Sequence, residues 1–164
     1  MSKKIINNYC SIKKTPKACK KNLNIKRIQM PQINNIQDFK IYKNLLKKLN
    51  LTSTMKRVKL DENIYASQKE INMQRARNIA KSIITKKQKG NPVLLLNDKN
   101  NNYLVVDGHH RWLAYHLLNK RKNTKRRKTM KSYVTQVDEI KRGFKNINKT
   151  LKKSNHNFHK KHSF

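Results

Sequence analysis

Two short apolar runs, at 93–96 and 104–106, are joined by the Asn- and Asp-rich stretch 97–102, and this pattern limits the fold more than any other feature. Apolar segments of that length bounded by turn residues predict a β-hairpin. Asp107 and Gly108 follow the second run directly, and Gly108 allows a sharp turn into a helix over 109–119. The same runs are far short of the roughly 20 apolar residues that a membrane span needs. Hydrophobic residues make up only 35% of the 164, so a core running through the whole chain is not expected.

Periodicity extends the reading on both sides. A helix is predicted over 67–84, with Ile71, Ala76, Ile79, Ala80, Ile83 and Ile84 on one side. Gly90, Asn91 and Pro92 close the connection after it. Upstream, Asp38 is the expected N-cap of a helical extension within 31–57, with Phe39, Tyr42, Leu45, Leu46 and Leu49 at helical spacing. The stretch 50–56 breaks that pattern, and 58–60 predicts a short strand. Downstream, 131–137 predicts a returning strand. Asp138 is the expected cap of a last helix carrying Ile140, Phe144, Ile147 and Leu151. Residues 1–30 lack sustained periodicity and read as a disordered basic arm. Residues 153–164 read as a basic, polar tail with His156, His159 and His162, and there is no internal repeat.

Charge sorts by position. The chain has 41 Lys and Arg against 8 Asp and Glu, a net of +33. Residues 58–118 hold ten of the bases and five of the acids, a net of +5, while the flanks hold the remaining +28. A loop at 120–128 concentrates Lys120, Arg121, Lys122, Lys125, Arg126, Arg127 and Lys128. Such flanks suit salt-dependent, sequence-blind contact with nucleic-acid phosphates. Codon drift is the competing source, since 32 Lys, 22 Asn and 15 Ile is an AT-rich pattern. Drift does not account for the scarcity of acids. With no apolar stretch after Ile5 and Ile6, a secretory signal is not expected. Cys10 and Cys19 lack zinc spacing and are expected as reduced thiols in an intracellular compartment, with virion association left open.

Residues 107–111 carry the chemistry. A strand, a turn and a helix start there, and a helix N-terminus offers amide donors and a positive dipole end to anions. Arg111 could clamp a phosphate in bidentate fashion, His109 and His110 could donate or move protons, and Asp107 could hold Mg²⁺. The plainer alternative is that Asp107 caps the helix while Trp112, Ala114 and Leu117 pack.

Asp-Gly-His-His-Arg-Trp-Leu-Ala at 107–114 resembles the signature box of the ParB/sulfiredoxin superfamily, in its Asp-Gly-His-His-Arg branch. The general Gly-x-x-Arg-x-x-Ala pattern maps onto Gly108, Arg111 and Ala114. Upstream, Gln68 and Glu70, then a helix, then Pro92 leading a strand, resemble that branch's order. The resemblance covers 58–118 best and implies an α+β fold, a small mixed sheet with helices over 58–152, flanked by the basic arms. A ParB-like core implies phosphate cradling by Gly108, His109, His110 and Arg111, with a nucleotide (ATP, ADP or CTP) and Mg²⁺ as cofactors. Sulfiredoxins carry a catalytic Cys where His109 stands here, so that reductase chemistry is not expected. The ParB-like free serine kinase shares the box and uses an upstream Glu, which makes Glu70 a candidate general base, with Asp107, His109 and His110 beside it. Ser67 and Glu70 also fit a capping box. The expectation is a nucleic-acid-associated protein with a nucleotide- or phosphate-binding core and no membrane partner. A phosphotransferase or nuclease is the alternative, and a packaging protein with a relic box is a third.

Overall fold

The computed structural model describes residues 6–8, 23–85, 91–119 and 128–158. Its centre is the hairpin of β5 (Val93–Asn97) and β6 (Asn102–Asp107), which pair antiparallel. The Asp98 carboxylate accepts the amides of Asn100 and Asn102, both at 2.9 Å, and Asn101 takes a left-handed φ of 56° in the turn between the strands. Asn tolerates that conformation because its short side chain bonds locally.

Around the hairpin a five-stranded mixed sheet runs in the order β2-β7-β5-β6-β3. β7 (Thr129–Gln136) lies parallel to β5 and antiparallel to β2 (Ser53–Lys59), and β3 (Asn63–Tyr65) lies parallel to β6. The unbroken apolar run in β5 reflects burial of both faces, which removes the polar half of the usual alternation. On one face Val93, Leu95, Tyr103 and Val105 pack with Ala76 of α2 (Met73–Ile84) and with Trp112 and Leu113 of α3 (His109–Asn119). On the other, Leu94, Leu96, Leu104 and Val106 pack with Tyr42 and Leu46 of α1 (Ile36–Lys48) and with Phe144, Ile147 and Leu151 of α4 (Ile140–Lys153). The fold is α+β with helices over both faces, as the sequence implies.

Several local expectations give way to tertiary structure. Asn35, not Asp38, caps α1; its side chain accepts the Asp38 amide at 2.8 Å. Asp38 instead accepts the Asn34 amide at 2.9 Å and pairs with His156 at 2.5 Å. Glu139, not Asp138, caps α4 by accepting the amides of Lys141 and Arg142, and Asp138 meets Lys99 at the surface. The helix predicted from 67 begins only at Met73, with Asn72 as its cap. Residues ahead of it form β4 (Glu70–Asn72), paired antiparallel with β1 (Ile6–Asn8). Ser67 cannot serve as the cap because its hydroxyl donates inward to the Val105 carbonyl at 2.5 Å.

The flanks are also corrected where they are described. Residues 23–30 are part of the fold: the Leu23 and Ile25 amides donate to the carbonyls of Ala66 and Ser67, and the Met30 side chain is fully buried. The tail likewise returns, with Phe158 fully buried. Cys10, Cys19, His159, His162 and residues 120–127 lie outside the described residues.

Candidate functional site

β6 delivers Asp107 to the sheet end, and Gly108 turns the backbone with φ of 95°. Only glycine adopts that conformation without strain. Space imposes the same choice, since a Cβ there would lie 3.1 Å from Arg111 Nη2 and 3.3 Å from the Val93 backbone. α3 starts at once, and the Trp112 amide donates to the Gly108 carbonyl at 2.9 Å. One turn in, Arg111 folds back over the glycine and its Nη2 meets Asp107 Oδ2 at 3.3 Å. Burial pushes the Arg111 guanidinium down from its ordinary value, and the Asp107 carboxylate opposes that shift. Desolvation disfavours the charge, the neighbouring anion restores it, and an arginine stays protonated throughout.

The two histidines face the chain segment that precedes α2. The Ser67 and Gln68 amides donate to His109 Nε2 at 3.1 and 3.2 Å, and the Asn72 amide donates to His110 Nε2 at 3.0 Å. A backbone N–H can only donate, so each Nε2 is assigned as the unprotonated acceptor. Both rings are buried. The pair therefore ties the first turn of α3 to residues 67–72 and keeps those buried amides satisfied.

Beside this turn lies a cavity of about 200 Å³. Gly108 to Arg111 form one wall with Asp107, and Arg27 and Arg75 line the cavity as well. Arg27 is buried at 6% exposure, and Arg75 stands on α2 near enough to Arg111 to disfavour its charge. Ile33 and Ile79 supply apolar wall, and Gln32, Asn34 and Asn91 supply amides. Three arginines and one carboxylate line this cavity beside the N-terminus of α3, where the helix dipole is positive and charge-assisted hydrogen bonds to an anion could form.

The family model described as the ParB N-terminal domain matches residues 14–141, well over half of the chain. The chain belongs to the ParB N-terminal domain family. Among curated proteins none matches it. The match begins upstream of the best-resembling stretch, in accord with the packing of residues 23–30 into this ParB N-terminal domain.

Within the domain the structure gathers Asp107, Gly108, His109, His110 and Arg111 at the cavity and leaves Glu70 outside its lining. Glu70 lies in β4, where its carboxylate accepts the Arg27 amide. It is not a capping-box residue, because no helix starts at Ser67. Asp107 is the carboxylate of the cavity lining and the residue that would hold a Mg²⁺ there. Among the described residues no group of three or more His, Cys, Asp or Glu is arranged to hold a metal. Lys128 is exposed, and its carbonyl accepts the Leu60 amide. No described helix is long and apolar enough to cross a membrane. Arg27 and Arg75 escaped sequence reasoning: one sits in a segment without periodicity, and the other resembles any exposed helical base.

Proposed function

We propose that this domain binds the phosphates of a nucleotide in the arginine-lined cavity, as part of a nucleic-acid-associated protein. The observation that carries the reading is the convergence of Arg27, Arg75 and Arg111 with the N-terminus of α3 around one cavity. A planar guanidinium matches phosphate oxygens two at a time, and burial of Arg27 and Arg111 strengthens each contact. The Asp-Gly-His-His-Arg sequence fits this reading, with Arg111 beside Asp107 in the cavity lining and the imidazoles toward the backbone. Ile33, Ile79 and the amides nearby are the lining residues that a non-phosphate moiety would meet. ATP, ADP and CTP, with Mg²⁺ shared by Asp107 and the phosphates, are the ligands to try. The basic flanks, including 120–128, would hold nucleic acid through phosphate contacts that weaken steeply with salt.

The phosphotransferase reading is the weaker one. Its base, Glu70, is engaged with the Arg27 amide and stands outside the cavity lining. The deciding experiment is thermal unfolding with each nucleotide, with and without Mg²⁺, on the wild type and Arg111→Ala. At about 100 times Kd a ligand adds about 2.7 kcal/mol of stability, so one nucleotide should raise Tm clearly in the wild type only. A wild type unmoved by all three, or an Arg111→Ala protein stabilised as strongly, overturns the proposal.

A further inference from the structure

A second concavity, of about 460 Å³, lies between residues 23–25 and α4. Its floor is apolar, made by Leu23, Ile25 and the ring of Phe144. Its rim is a row of lysines, Lys141, Lys145, Lys149 and Lys152, all exposed. At about 100° per residue those four fall within an arc of about 80°, beside the buried stripe of Phe144, Ile147 and Leu151. The row runs about 16 Å at 1.5 Å per residue. Among the described residues no acidic one lines the groove, and α4 contains none.

We propose that this groove binds an acidic amphipathic helix of a partner protein. Apolar side chains on the helix would cover Leu23 and Ile25, and carboxylates one turn apart would meet lysines at the same spacing. Charge complementarity selects this occupant. Residues 9–22, which precede Leu23 in the sequence, carry five lysines and no acid, and a second copy brings another +33. A nucleic-acid backbone would pair with the lysines but leave the apolar floor wet, which forfeits the burial that favours a helix. The site is separate from the arginine cavity and stands whether or not a nucleotide binds there.

The test uses the full chain and a labelled peptide of about 14 residues, matched in length to α4. Leu and Phe occupy one face of the peptide and Glu the positions beside it; a scrambled peptide has the same composition. Fluorescence anisotropy at physiological salt should give roughly tenfold tighter binding for the ordered peptide, because only it can satisfy floor and rim together. Lys145→Glu with Lys149→Glu should weaken binding on the order of tenfold or more, since each reversal adds repulsion. Ile25→Ser should weaken it on the order of threefold or more. Arg111→Ala should leave it unchanged, and Tm values establish that the variants fold. Equal binding of the scrambled peptide, or indifference to Ile25→Ser, overturns the proposal. So does a double variant that loses duplex DNA or anionic vesicles while holding the peptide as before.

Discussion

Two basic regions of this protein are built from different side chains for different physical reasons. Around the cavity the cations are arginines, two of them largely buried, with one held over Gly108 by Asp107. Along α4 they are exposed lysines at the border of an apolar groove. A guanidinium tolerates partial desolvation and presents a rigid fork, whereas an ammonium on a flexible stem stays hydrated. The net charge of +33 is therefore at least two properties. One set is gathered at a defined cavity, and the other lies along an exposed helical surface.

The sharpest way to break that comparison is to remove the scaffold under the cavity. His109→Ala leaves the buried Ser67 and Gln68 amides without their acceptor. At about 1–3 kcal/mol for each of the two unsatisfied groups, denaturant unfolding should register a loss of about 2–6 kcal/mol. Nucleotide binding should fall with it. If His109→Ala costs under about 0.5 kcal/mol, the imidazole is not the tie described above.

A smaller effect separates the two sets of cations. Arg75→Ala should weaken nucleotide binding by roughly tenfold, about 1.4 kcal/mol for one charge-assisted contact, with little change in stability because the residue is exposed. Lys149→Ala should leave that affinity unaltered. Calorimetric titration of both variants would reverse the assignment if Lys149→Ala proved the more damaging. The smallest change expected is at the surface pair Lys99–Asp138, where both side chains are mostly exposed. Asp138→Ala should shift stability by no more than about 0.5 kcal/mol, and a larger loss would make Asp138 the helix cap after all.

Much of the centre was legible in the linear chain. The runs at 93–96 and 104–106 with their Asn-rich link predict β5, β6 and the turn, and α3 runs over 109–119 as its pattern predicts. Trp112, Phe144, Ile147 and Leu151 are core residues, as their spacing indicates. Of the site, Asp107, Gly108 and Arg111 were legible as a unit because one turn joins them. The caps lie one residue from the expected position at α4 and three at α1, since several polar residues compete at each end and packing chooses among them.

Sequence alone determined the strand–turn–helix around Gly108, because a glycine at φ of 95° and an i,i+4 ion pair are both local. Tertiary structure alone decided what surrounds the turn. It brought Arg27 and Arg75 beside Arg111, directed His109 and His110 onto distant backbone amides, drew Glu70 to the Arg27 amide, and folded residues 23–30 into the core. Contacts between residues some 36–84 positions apart leave no periodicity along the chain, and only burial of the intervening apolar surface brings them together.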